Sequence, residues 1–353
     1  MRALTVRPGT PNSLRLENIS EPDRASGAGL VRAIALGICG TDREIVAGKY
    51  GTAPPGSDRL VLGHESLGRV EDAPANCGLA AGDLVVGIVR RPDPEPCANC
   101  AAGEWDMCRN GRYTEHGIKG LDGFGAESWR IDASFAVKIP SSLGELGVLL
   151  EPASVVAKAW EHTEHIGRRA LWNPRRVLVT GAGPIGLLAA LFAVQRGLEL
   201  HVMDRATSGI KPELVRLLGG TYHTGSVCDL GFEADVVVEC TGAPSVVMDV
   251  IGRNVPNGIV CLAGVSAAGV KKLVDAGALN RTIVLENEVV FGSVNANRRH
   301  YEAAVAALLQ ADGSWLERLI TRRVPLSRWC EAFESHPDDV KTVIDFADEA
   351  YEA

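Results

Sequence analysis

Val177-Leu178-Val179-Thr180-Gly181-Ala182-Gly183-Pro184-Ile185-Gly186 is the stretch on which the fold turns. A short apolar, mostly β-branched run enters a G-x-G-x-x-G turn that opens a helix read over Pro184–Arg196. In that context the glycines let backbone N–H groups approach a pyrophosphate at a helix N-terminus, so the segment predicts a dinucleotide-binding unit in which Gly181, Gly183, Pro184, Ile185 and Gly186 line the phosphates.

Downstream, strand candidates at Leu198–Asp204, Asp235–Cys240 and Gly258–Val265 alternate with helix candidates at Pro212–Gly219 and Ser245–Val255. The alternation implies a parallel sheet with right-handed crossovers. Asp204 closes the second strand, where an acidic side chain accepts hydrogen bonds from the adenosine ribose diol and repels a 2′-phosphate. That favours NAD, while the adjacent Arg205 leaves NADP possible, since a guanidinium binds phosphate. Thr282 to Val294 reads as strand and is able to pair across a two-fold axis. An amphipathic helix over His300 to Leu309 and a polar C-terminus follow.

Upstream the character differs. From Met1 to about Pro140, short runs such as 30–36, 68–71 and 83–89 are broken by Gly, Pro and Asp, the pattern of a β-barrel or sandwich. Ser154 to His165 reads as a helix leaving that domain. The expected organisation is a catalytic domain over residues 1–155 and 296–353 and a dinucleotide domain over 156–295, within the two-domain range for 353 residues.

Composition narrows the partners. A net charge of −8 argues against nucleic acid or an anionic membrane as the main partner, because both want a basic surface. The apolar run 185–194 is too short to span a bilayer, and the N-terminus lacks the pattern of a secretion signal, so a cytoplasmic protein is expected. Nine cysteines, an odd number and several of them in apolar runs, point to reduced thiols and metal ligands rather than a disulfide framework.

Metal-binding residue types fall at spaced positions in the first half: Cys39 in 37-GICGTD-42, His64-Glu65 after Gly63, and Glu151 before Pro152. Cys39, His64 and Glu151 supply the three protein ligands of an open catalytic zinc site, with Glu65 as an outer partner or exchangeable ligand and Thr41 as the first hydroxyl of a proton relay. Taken singly, Cys39 also reads as a core residue, His64 as a backbone partner and Glu151 as a helix cap.

With the cofactor motif downstream, these stretches resemble the zinc-dependent medium-chain dehydrogenases over nearly the whole chain. Within them, 112-RYTEHGI-118, 121-LDGF-124 and 292-GSVN-295 followed by His300 are similar to the microbial glucose (aldose) 1-dehydrogenases. The resemblance implies a GroES-like β-barrel catalytic domain joined to a Rossmann domain, with the last stretch of chain returning to the former and the site in the cleft between them. It implies oxidation of C1 of an aldose to the lactone, with Glu115, Asn295 and His300 on the sugar hydroxyls, in a dimer or tetramer.

The same resemblance implies a structural zinc at Cys97-x2-Cys100-x7-Cys108. The position that normally opens this pattern with a cysteine is Pro94, and the neighbouring Asp93 is the expected substitute ligand. Rival readings are a polyol, threonine or simple alcohol dehydrogenase on the same scaffold, and a nucleotide-binding protein without chemistry.

Overall fold

A computed structural model describes residues 1–23, 28–267 and 269–346. The chain forms two compact units, Met1–Ser154 with the segment from Asn295 onward, and Val155–Val294. The helix Leu150–Gly167 carries the chain from the first into the second.

In the second unit, six parallel strands lie in the order Thr221–His223, Glu199–Met203, Arg176–Thr180, Ala234–Glu239, Asn254–Leu262, Val289–Gly292. The chain starts in the middle and winds outward in both directions, which is the doubly wound Rossmann arrangement. Buried Leu178, Met203, Val237, Val250 and Val260 form a core that these near-continuous apolar strands dictate. The helix Pro184–Gln195 is buried from Gly186 to Ala193, which explains its lack of a polar face.

The first unit is built round one long strand, Gly29–Ile38. One edge pairs with Glu65–Asp72. The other edge is shared: Ser128–Ile131 pairs with its first half and Lys341–Asp345 with its second. This seven-stranded sheet encloses Val31, Leu36, Leu62, Val85, Phe124 and Ile344, and it is the scaffold of the GroES-like domain.

Two sequence expectations change. Thr282–Leu285 is the end of a helix, Ala276–Leu285, capped by Asp275, whose side chain accepts from the Ala278 N–H; only Val289–Gly292 is strand. The β-branched residues there suggested a strand, but the N-cap wins locally. The stretch after Leu309, read as merely polar, holds the helix Gly313–Leu319 and the strands Ile320–Pro325 and Lys341–Asp345. Three consecutive polar residues, Thr321 to Arg323, break the alternation expected of Ile320–Pro325, and only pairing with its neighbour reveals it as a strand.

Candidate active site and metal centres

Register places the central cluster. Cys39 follows the strand Gly29–Ile38 and is the N-cap of the helix Gly40–Val46. Glu65 opens the neighbouring strand opposite Gly37, with His64 just before it. A Cβ at position 37 would lie 2.1 Å from Glu65 Oε2, so only glycine leaves space for that carboxylate. Thr342 pairs with Ile38, which brings Lys341 alongside Cys39.

Ligand atoms of Cys39, His64 and Glu65 all lie within 4.8 Å of one another. Glu65 is held by Lys341, whose Nζ donates to Oε1 and Oε2 at 2.7 and 2.5 Å and to the Ile38 carbonyl at 3.3 Å. Both side chains are almost fully buried, so the ion pair supplies the countercharge that each needs. Asp42, wholly buried, accepts the Cys39 N–H at 2.9 Å and puts Oδ1 3.2 Å from His64 Nδ1. Burial opposes charge on His64, but Asp42 and Cys39 outweigh it and raise the imidazole well above its ordinary range.

Glu151 is buried but stands outside this group of three. Burial first, then the charges of Glu65 and Asp42, push its carboxyl up to about 7 against the opposing pull of His64 and Lys341. Thr41 sits partly exposed in the first turn of the Gly40–Val46 helix. A zinc ion fits this donor set: a partly exposed thiol and a buried imidazole and carboxyl offer ligand atoms within 4.8 Å of one another. With Nδ1 turned to Asp42, Nε2 is the ring nitrogen left for another partner.

The second cluster is local. Cys97, Cys100 and Cys108 gather their sulfurs within 4.8 Å across the short helix Ala98–Ala101 and the turn Trp105–Met107. Backbone N–H groups of Arg109 and Cys100 bring the Cys97 thiol down to about 6, a thiolate environment suited to zinc. Asp93 is not gathered with them. Its Oδ1 accepts the Glu95 N–H at 2.9 Å and its Oδ2 lies 3.4 Å from Arg112 Nε. All nine cysteines are free thiols.

Two of the three expected sugar residues meet directly. Glu115 Oε1 accepts from Asn295 Nδ2 at 2.9 Å and from Arg90. His300 is wholly buried in the first turn of the helix Arg298–Gln310, where its Nδ1 accepts the Asn297 N–H at 3.0 Å. The residue thus serves a helix start, and any contact with a sugar runs through Nε2.

At the dinucleotide turn, Gly181 has φ +90° and Gly183 caps the helix that begins at Pro184. A Cβ on Gly186 would fall 1.7 Å from the Gly181 carbonyl oxygen, which explains the third glycine. Ile185 follows in the first helical turn. Asp204 Oδ2 accepts the Ala182 N–H at 2.6 Å and Oδ1 the Ala206 N–H at 3.0 Å, so its carboxylate lies against the turn. Arg205 is exposed.

Sequence reasoning passed over Lys341, Asp42 and Arg90. Asp42 had a signal in 39-CGTD-42, three residues beyond the thiol where a helix N-cap pairs with its N3 residue. Lys341 had none, because its partner is 276 residues away.

Comparison with known proteins gives a consistent result. Residues 25–141 match the alcohol dehydrogenase GroES-like domain, and residues 144–346 match the glucose dehydrogenase C-terminus. The glucose 1-dehydrogenase 2 of Vulcanisaeta moutnovskia is 42% identical over 98% of this chain and 99% of its own. The glucose 1-dehydrogenase of Thermoproteus tenax is 43% identical at the same coverage. The structure of Haloferax mediterranei glucose dehydrogenase, in complex with NADP, Zn and gluconolactone, superposes with a TM-score of 0.91 at 34% identity, covering 98% of this chain and 99% of that one.

Proposed function

The chain belongs to the zinc-dependent medium-chain dehydrogenases, in their glucose dehydrogenase branch, and from that premise we propose that it oxidises C1 of an aldose to the lactone with transfer of a hydride to NAD(P). The observation that carries the reading is the convergence of Cys39, His64 and Glu65 in a buried pocket that also holds Glu151. A zinc ion bound there supplies Lewis acidity, which makes a carbinol hydroxyl easier to deprotonate.

The residues divide the work. Cys39 and His64 are the lasting ligands, and Glu151, close enough to feel the charge of His64, is the third. Glu65, tied to Lys341, would be an outer partner or exchangeable ligand. Asp42 fixes the imidazole. Thr41 takes the substrate's hydroxyl proton outward. Glu115, Asn295 and His300 orient the sugar, and Cys97, Cys100 and Cys108 hold a structural zinc. Asp93 would join them through Oδ2, since Oδ1 accepts the Glu95 N–H.

Gly181, Gly183, Pro184, Ile185 and Gly186 hold the pyrophosphate, and Asp204 favours NAD over NADP because a 2′-phosphate would meet its carboxylate beside the turn. Assembly as a homo-oligomer would use the edge strand Val289–Gly292; Val284 and Leu285, at the end of the helix that precedes it, are exposed. No helix among the described residues is long and apolar enough to cross a membrane, and we take the cytoplasm as the site of action.

The test is reduction of NAD and of NADP with a panel of aldoses, polyols and amino alcohols, with and without a chelator. Aldose activity that chelation removes, with the higher kcat/KM for NAD, is the expected result. Zinc-loaded protein that binds dinucleotide but reduces it with no hydroxylated compound overturns the proposal, and a preference for NADP would assign cofactor choice to Arg205.

A further inference from the structure

Arg90 lies in the strand Arg90–Arg91, directly opposite Glu115 in the antiparallel pair with Thr114–His116. Its Nε and Nη2 both reach Glu115 Oε1 at 3.0 Å, and Asn295 Nδ2 reaches the same oxygen at 2.9 Å. Three N–H donors on one carboxylate oxygen exceed its two lone pairs, so Oε1 is saturated. None of the described hydrogen bonds goes to Oε2.

The arginine is itself locked. Nη1 donates to the Asp106 carbonyl at 2.9 Å, and the guanidinium lies 3.7 Å over the ring of Tyr113. Arg90 and Glu115 are each only 5% exposed, so neither side chain swings freely into solvent. Asn295 is held from the other side, in left-handed backbone at φ +62°, with its Oδ1 accepting the Ala296 N–H.

We propose that Arg90, with Asn295, is a positioning residue for substrate recognition: it pins one oxygen of Glu115 and presents the other as a fixed acceptor for a sugar hydroxyl. The inference rests on the reading of this chain as an aldose dehydrogenase in which Glu115 meets the sugar. It deepens that reading by locating the source of hydroxyl selectivity in the guanidinium fork, which a lysine cannot reproduce. A buried, preorganised acceptor rejects an analogue lacking the matching hydroxyl, because the oxygen is then left unpaired.

The experiment compares wild type with Arg90→Lys and Glu115→Gln on glucose and its monodeoxy analogues, measuring kcat, the sugar KM and the dinucleotide KM. Glu115→Gln identifies the hydroxyl concerned as the one whose absence ceases to matter. Arg90→Lys is expected to raise the glucose KM by about 10- to 100-fold, to flatten discrimination at that same hydroxyl, and to leave the dinucleotide KM unchanged. An unchanged glucose KM, or a loss spread evenly over every analogue and over the dinucleotide, overturns the proposal.

Should Arg90→Lys fail to fold, the double variant Arg90→Met with Glu115→Gln, which removes both buried charges, decides the matter. It is expected to match Glu115→Gln alone, and an additive further loss in sugar KM overturns the proposal. A wild-type protein that oxidises no aldose refutes the aldose reading itself, a result separable from any effect of Arg90.

Discussion

The Cys39–His64–Glu65 cluster and the Cys97–Cys100–Cys108 cluster each gather three metal-binding atoms within 4.8 Å, but they are assembled in opposite ways. The first draws on separate strands and is surrounded by ionisable groups: Asp42, Glu151 and Lys341. The second comes from one short stretch of chain, and backbone N–H groups do most to tune it. A site that performs chemistry needs charges set against each other in a buried pocket, whereas a site that only ties a loop needs spacing and thiols. The difference also separates their expected failures: damage to the first should abolish turnover, damage to the second should loosen the fold.

The largest effect should come from His64→Ala. Loss of the metal-binding imidazole is expected to lower kcat by at least ~1000-fold, the several kcal/mol that a Lewis acid contributes, while the circular dichroism spectrum keeps its shape. Retained turnover would remove the first cluster from the chemistry. Next comes Lys341→Met, which leaves Glu65 buried without its cation and should cost about 3–5 kcal/mol of stability in a denaturant titration. A loss below about 1 kcal/mol, the range of exposed pairs, would mean that the pocket is wetter than its burial suggests.

A pH series gives a smaller, graded effect. The Glu151 carboxyl is raised from its usual 4.5 to about 7, burial being the main cause, so the fold favours its protonated form. Stability of the metal-free protein from this group is therefore full below about 4.5 and falls as pH rises to about 7, by at most ~1.4 kcal/mol per pH unit. Urea unfolding across that window should show the slope, and Glu151→Gln or zinc loading should flatten it. A slope of opposite sign would place Glu151 next to a dominant positive charge instead.

The smallest effect on turnover is expected from Cys100→Ser. Metal analysis should fall from two zinc ions per chain to one and the Tm should drop, while kcat stays close to wild type. One zinc per chain in the unmodified protein would remove the structural metal from the account.

Much of this was legible beforehand for a physical reason. The dinucleotide unit announces itself because strand, glycine turn and helix are contiguous, and each glycine answers a local demand: φ +90° at Gly181, a cap at Gly183, no room for a Cβ at Gly186. The three lobe cysteines are likewise close in sequence. Thr282–Leu285 misled because β-branched residues favour strand on average, while a single aspartate cap upstream settles the helix.

Local order therefore determined the Rossmann unit and the spacing of the lobe thiols, since each depends on neighbours within a turn or two of backbone. Tertiary structure alone decided that Lys341 grips Glu65, that Asp42 faces His64 and that Arg90 with Asn295 saturates one oxygen of Glu115. Those facts follow from strand register and burial. Both arise when distant segments pair, because taking a charge out of water forces it to find whatever partner the sheet has brought alongside.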